Sequence, residues 1–335
     1  MIISKVISKL TDSDLELCHN LLMNSPDKHI FNDLRLHLRI QDYFKDTIEG
    51  NVLFFAEKEN IFGYIILYNE IAKKLLTYFS PYQQSLITYG GIVCPDNPDN
   101  KEIRKKFLKE IIKFLGINSS IYIKSLPGIE IDVYNSLGYN IVENKTLFIN
   151  TQSKEDELWE DIKNRIKWNI NKAYQSNIKV KIVIPENTQD IDPLFNIYAE
   201  VCKRTGLYLH NKNYYFSILD NNNFNHSLIF YAYYNDTIIS TMAVLYFDNI
   251  IISWFGGSYY KYRNYNASSL IYWEIIKYAS QNNFKIFDLL GLDIPNIAFF
   301  KKGFGGYEVP VYHITYKPLG YKVKNKLNKM LELRK

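Results

Sequence analysis

FKIFDLLGL (Phe284–Leu292), followed after a short loop by IAFFKKGFGG (Ile297–Gly306), is the stretch whose reading decides the fold. The first run is apolar around Asp288 and predicts a buried strand. Ahead of it, SSLIYWEIIKYASQNN (Ser268–Asn283) predicts a long apolar helix. After the loop come a Phe-Lys pair and a glycine-rich turn. Lys301 is flanked by Phe299, Phe300 and Phe304, and aromatic neighbours imply a partial burial that disfavours an ammonium. Such a lysine either lays its stem over apolar surface with its head in water, or it waits for an anion. Spacing alone leaves both readings open.

Working upstream, SLIFYAYYNDTIISTMAVLYFDNIIISWFGGSY (Ser227–Tyr259) predicts a strand series with turns at Asn235-Asp236 and Asp248-Asn249. Ile191 to Thr205 predicts a helix ending near Gly206, and NIKVKIVIPEN (Asn177–Asn187) a strand. Ser153-x-x-Asp156 has the form of a capping box opening a helix on which Leu158, Trp159, Ile162, Ile166, Ile170 and Ala173 keep helical spacing. The opposite face carries Lys163, Arg165, Lys167 and Lys172, which suits either plain solvation or contact with phosphate or nucleic acid. In the first half, residues 11–23, 32–45 and 101–116 predict helices, the first capped by Thr11 or Asp12 and the last by Gly116. Asn51–Glu70 predicts a hairpin, and Ser85–Pro95, Ser120–Leu126 and Asn144–Asn150 predict strands, with a short helix end at Val133–Tyr139.

The 335 residues suffice for two domains with separate cores. A composition 47% hydrophobic and 22% charged is that of a soluble globular chain. The net charge of +5 suits an anionic partner, yet it is also the charge of many solvated surfaces. The N-terminus carries acids early and is not read as a secretory signal, and no uncharged run reaches the ~18 apolar residues of a membrane span. Three dispersed cysteines fit free thiols in a reducing cytoplasm. The six histidines form no HExxH or Cys-His spacing, so no metal is expected, and no GxSxG or Cys-His pairing suggests a nucleophile triad. The basic tail GYKVKNKLNKMLELRK (Gly320–Lys335) reads as a moderately amphipathic helix, solvated or in peripheral contact with an anionic membrane surface.

Taken in order, NRIKWNINKAYQSNIKV (Asn164–Val180), WEIIKYASQNNFKIFDLLGL (Trp273–Leu292) and FFKKGFGG (Phe299–Gly306) resemble the Fem-type aminoacyltransferases and the related FemAB-like GCN5-related N-acyltransferases. The resemblance covers the second half of the chain well and the first half weakly. It implies a mixed α/β (α+β) fold of two tandem GCN5-related N-acetyltransferase-like domains, placed here at residues 1–150 and 151–318, with 319–335 as the tail helix. No heptad stretch marks the coiled-coil arm of the family's longer members, so the compact form is expected.

The reaction implied is amide formation on an amine of a peptidoglycan precursor or surface-glycan building block, in the cytoplasm. The donor would be an aminoacyl-tRNA or an acyl-CoA, without a tightly bound cofactor. Its partners would be an anionic nucleotide-linked or lipid-linked acceptor and charged tRNA, with no DNA. The alternatives are a CoA-dependent N-acyltransferase acting on an amino-sugar nucleotide, and a silent binding protein of the same fold. Lys301 matches the family's Phe-Lys-x-x-Phe pattern and would stabilise negative charge at the reacting centre, with Phe300 beside the acceptor. Cys202–Phe216 resembles the acceptor-lining segment and offers Arg204, His210 and Lys212. Trp254 and Gly257 lie at a strand end with room for a ligand. The donor loop pattern Arg/Gln-x-x-Gly-x-Gly/Ala falls on Arg263, Asn266, Ala267 and Ser268. Asn266 stands where glycine is usual, and Asn tolerates the left-handed backbone that the turn needs.

Overall fold

The computed structural model describes residues 1–44, 46–58, 60–70, 82–83, 89–96, 100–116, 119–222 and 224–320. The chain forms two compact units: Met1–Asn144 with the segment from Pro310 onward, and Lys145–Val309.

The first unit runs β1 (Ile2–Val6), α1 (Asp12–Met23), α2 (Leu34–Phe44), β2 (Ile48–Glu57), β3 (Asn60–Glu70), β4 (Tyr82–Gln83), α3 (Asn100–Leu115), β5 (Ile121–Lys124) and α4 (Asp132–Ser136). Local chemistry fixes most boundaries. Thr11 and Asp14 cap α1 reciprocally, the Thr11 hydroxyl accepting from Asp14 N–H and the Asp14 carboxylate from Thr11 N–H. The β2–β3 hairpin turns at Lys58 (φ 57°), and α3 stops at Gly116 (φ 60°). Strands follow the order β1-β2-β3-β4-β5, antiparallel except between β4 and β5. Leu53, Phe55, Ile65 and Leu67 form the core with Phe107 and Ile111 of α3. Of the strand expected at Ser85–Pro95, residues 85–88 lie outside the described residues, and the remainder makes isolated bridges, Val93 to Tyr64 and Gly90 to Ser125.

β6 (Asn140–Asn150) leads into the second unit. There follow α5 (Glu155–Asp161), α6 (Asn164–Gln175), β7 (Lys179–Val183), α7 (Asp192–Thr205), α8 (Lys212–Leu219), β8 (Ser227–Tyr234), β9 (Thr237–Phe247), β10 (Ile250–Ser258), α9 (Ala267–Gln281), β11 (Ile286–Asp288) and α10 (Pro295–Lys301). The sheet order is β6-β11-β10-β9-β8-β7, with β10 and β11 its parallel pair. Asn235 and Asp236 both have positive φ (44° and 61°), the type I′ signature that folds β8 onto β9. α6 and α9 bury Ile166, Ile170, Leu270 and Ile271 against Phe230, Met242 and Val244. α7 lies against β9 and β10. β12 (Tyr307–Tyr316) then carries the chain back to the first unit.

Several expectations differ from what is seen. The helix expected through residues 158–173 is broken into α5 and α6, because Ile162 is extended (ψ 131°) and Lys163 N–H donates to Gly303 O at 2.9 Å. Ser153 does not cap α5. The N-cap is Lys154 and no side chain closes it. The strand expected over nine residues shortens to β11, because Leu290 turns the chain at φ 58°. Residues 310–318, assigned from sequence to the second lobe, belong with the first unit, since His313–Tyr316 pair with Lys124–Ile121. From residue 321 on, the expected tail helix lies outside the described residues.

Candidate active site

β11 accompanies β10 only briefly: Ile286–Asp288 pair with Ile250–Ile252. Beyond that point β10 runs on to Ser258 against β9 alone among the described residues, with a bulge between Ser253 and Phe255. One edge of β10 is therefore open just where the two parallel strands part. Peptide groups on such an edge keep their capacity to bond a ligand. Asp288 fixes the divergence. Fully buried, its carboxylate accepts from Thr146 Oγ1 and from Leu290 N–H at 2.8 Å, holding the turn after the strand.

Lys301 closes the same loop. It ends α10 with only 8% of its surface exposed, and its ammonium donates to Leu290 O at 3.1 Å and Gly291 O at 2.9 Å. The reading of a lysine with its head in water is discarded. Phe300 meets Tyr272 edge-on at 5.4 Å, and Phe304 stacks on the same ring at 5.2 Å. Tyr272 in turn reaches Ser253 Oγ on β10 at 3.4 Å. Lys302 is the solvated neighbour: it and Lys145 flank Glu308. Hydrogen bonds from Lys145 and then Lys302 hold that carboxyl down to about 2.

At the other side of α9's start, Asn266 takes φ 54° and ψ 25°, so the left-handed turn that the donor loop requires is present without glycine. Ala267 is buried behind it. Ser268 joins a cluster of hydroxyls, 2.7 Å from Ser258 Oγ and 3.2 Å from Ser240 Oγ, while Ser258 donates to Ser240 at 2.7 Å. Arg263 lies over the Tyr260 ring at 4.0 Å, and Arg204 approaches the same ring at 5.4 Å. Glu200 ties them together, accepting Tyr260 N–H at 2.7 Å and pairing with Arg204 at 3.6 Å. A donor candidate and an acceptor candidate thus share one tyrosine. Ser240, Ser258 and Tyr260 escaped the sequence reading. The two serines could have been found by counting register from the Asp248-Asn249 turn and allowing for one bulge.

The remaining acceptor candidates fall in an aromatic group on α7, α8 and β10. His210 lies 4.0 Å from Tyr214 and 6.3 Å from Tyr215, which also approaches Trp254 at 6.3 Å and Phe255 at 4.7 Å. Burial lowers the His210 pKa, which leaves a neutral ring at pH 7. Lys212 pairs with Asp192 at 2.7 Å. The space expected at Gly257 is taken by protein: a Cβ there would sit 2.6 Å from Val201 Cγ2, so the glycine lets α7 approach the strand. Cys202 is buried, and burial raises its thiol pKa. Among the described residues no group of His, Cys, Asp and Glu is arranged for a metal ion, and no helix is long and apolar enough to cross a membrane.

Residues 161–302 match the family of acetyltransferase (GNAT) domains. The fold is shared with solved structures, among them the following three. FemX superposes with TM-score 0.68 at 13% identity, over 92% of this chain and 96% of its own. The C-terminal domain of a putative lysylphosphatidylglycerol synthetase from Agrobacterium fabrum gives 0.57 at 9% identity, over 95% and 96%. A tandem GNAT protein from the clavulanic acid biosynthesis pathway gives 0.56 at 7% identity, over 95% and 98%. No curated protein matches the chain by sequence.

Proposed function

From an acyltransferase whose GNAT domain spans residues 161–302 and whose fold is that of FemX, we propose amide synthesis: an aminoacyl or related acyl group moves onto an amine of a cell-wall or surface-glycan precursor, in the cytoplasm. The observation that carries this is the parting of β10 and β11, with the Lys301 ammonium held at the end of β11.

The anionic part of the donor would lie at the start of α9, where the first N–H groups lack intrahelical partners and the helix dipole favours negative charge, with Arg263 beside it. Its carbonyl would lie along the open edge of β10, whose N–H groups receive the oxyanion as it forms. A neutral acceptor amine attacks the carbonyl carbon and a C–N bond forms. The C–O bond of the aminoacyl ester, or the C–S bond of a thioester, breaks; the amine gives up a proton and the departing hydroxyl or thiol gains one. Lys301 supplies positive charge at this end of the strand. The acceptor would enter past Phe300 and the aromatic group of His210 and Trp254, with Arg204 and Lys212 as cations for its phosphate or carboxylate.

An aminoacyl-tRNA donor is favoured by α6, which carries Arg165, Lys167 and Lys172 without an acid and leaves Trp168 61% exposed. The CoA alternative draws on Asn266, whose left-handed backbone is the conformation a glycine would take in a pyrophosphate loop.

The test offers the protein charged tRNA or acyl-CoA with UDP-linked muropeptides and amino-sugar nucleotides, and follows amide formation. A tRNA donor predicts salt-sensitive binding; a CoA donor predicts thiol release with no tRNA present. Lys301→Met keeps the stem and removes the charge, and is expected to lower turnover by about tenfold to a thousandfold with the circular dichroism spectrum unchanged. Unaltered turnover in that variant removes Lys301 from the reaction, and absence of transfer with every donor leaves a binding protein.

A further inference from the structure

We propose that the first unit carries a ligand site of its own, a pocket for a small zwitterion: a free α-amino acid or a short peptide with both ends uncapped. A cavity of about 480 Å³ opens between the segment after α1, the start of α3 and the loop from Gly128 to Tyr134. That volume falls in the range of small-molecule pockets.

Its floor is cationic. The Arg104 side chain, 17% exposed, donates through Nε to Asn100 Oδ1 at 2.8 Å and through Nη2 to the Asp27 carboxylate. A guanidinium has five N–H donors in a planar fork, so these two bonds leave others for a ligand in the cavity that Arg104 lines. Burial lowers the Arg104 pKa, but an arginine keeps its charge at neutral pH. Tyr134 lines the same cavity and is 2% exposed. Burial pushes that phenol up to about 12, so it keeps its proton and can only add a donor to a negative group.

The opposite charge stands at the rim. Glu130 lines the cavity with its side chain 78% exposed, and its nearest cation is Lys101 at 3.8 Å. Asp27 offsets Arg104, and Lys101 is shared between Asp132 at 3.4 Å and Glu130 at 3.8 Å. Balanced walls give little to a ligand of one sign. A ligand bearing both signs a few ångströms apart meets a complement for each: its carboxylate on the Arg104 fork and the Tyr134 hydroxyl, its ammonium toward Glu130. Pro26, Ile129 and Val133 supply apolar wall for a side chain. Every residue named lies in the first unit, so the proposal stands or falls separately from acyl transfer in the second.

The experiment is isothermal titration of the whole chain with L-alanyl-L-alanine, beside N-acetyl-L-alanyl-L-alanine and L-alanyl-L-alaninamide, each of which lacks one charge. Binding of the uncapped dipeptide is expected, with both capped forms weaker by at least about tenfold, the scale of one charge-assisted hydrogen bond. Tyr134→Phe, which keeps the ring and its packing, should weaken the dipeptide by about tenfold with the melting temperature unchanged. Glu130→Gln should weaken the dipeptide and L-alanyl-L-alaninamide but not N-acetyl-L-alanyl-L-alanine. No heat of binding at 10 mM dipeptide overturns the proposal. So does equal affinity for either capped form, or dipeptide binding unaffected by both substitutions.

Discussion

Gly303→Ala tests whether the glycine-rich turn after Lys301 is shaped by packing. A Cβ at Gly303 would lie 2.4 Å from Ile166 Cγ1 and 3.1 Å from its Cδ1, against the ~3.5–4.0 Å of an unstrained carbon contact. Ile166 is fully buried in the core of the second unit and has nowhere to swing. The two segments are also tethered, since Lys163 N–H donates to Gly303 O at 2.9 Å. Roughly an ångström must come from backbone movement, and such overpacking costs about 1–3 kcal/mol. For a unit of this size that lowers the melting temperature by roughly 2–10 °C. Urea unfolding of a double-mutant cycle decides the cause. Ile166→Ala alone should cost about 2–5 kcal/mol through its cavity, yet Gly303→Ala should cost at least about 1 kcal/mol less in that background than in the native one. Strict additivity of the two changes would refute the packing argument, as would a neutral Gly303→Ala. Turnover is expected to fall too, because the shift moves Lys301 off the Leu290 and Gly291 carbonyls, and ~1 Å of misplacement costs on the order of a hundredfold.

Three further outcomes follow from single sites. Asn266→Ala should cost about 1–2 kcal/mol in urea melts because its backbone is left-handed, whereas Asn266→Gly should cost nothing; equal costs would mean the turn is not what selects the residue. Thr241 is 1% exposed and its hydroxyl is unpaired among the described residues, so Thr241→Val is expected to be neutral or to stabilise by up to about 1 kcal/mol. A clear loss would show that the hydroxyl has a partner in solution. His29 and His37 are held neutral by burial, with pKa values lowered to about 3 and about 4. The unfolded chain binds those protons below about pH 6.5, so stability should drop as pH falls from there toward 4, each ring contributing up to ~1.4 kcal/mol per pH unit. A flat profile over that window would contradict the burial of both rings.

What the sequence could reveal tracks how local its causes are. The Asn235-Asp236 turn, the Gly206 stop after α7 and the Thr11 cap of α1, one of two residues the sequence offers, each depend on residues a few positions apart. α10 carried a local signal that was read as loop, a proline at its first positions. The break between α5 and α6 had none, because its cause is a carbonyl at Gly303. The site divides the same way. Aromatic flanks imply partial burial of Lys301 and leave its ammonium's place open, because its partners are backbone oxygens that no side-chain pattern records. Asp27, Arg104 and Tyr134 meet across long stretches of chain, which hid the cavity of the first unit altogether. One consequence bears on how the resemblance is weighed. In FKKGFGG, Gly303 is explained by its contact with Ile166, and Phe304 by its stacking on Tyr272. A chain that kept only the fold would keep those residues as well, so the motif as a whole argues for architecture. Apolar packing does not ask for the charge on Lys301, which also holds the loop through the Leu290 and Gly291 carbonyls. Gly303→Ala and Lys301→Met therefore separate the two explanations. The first should cost stability and activity together. The second should cost activity in the folded protein as well as the stability of its two hydrogen bonds, about 1–3 kcal/mol, and turnover measured per folded molecule tells them apart.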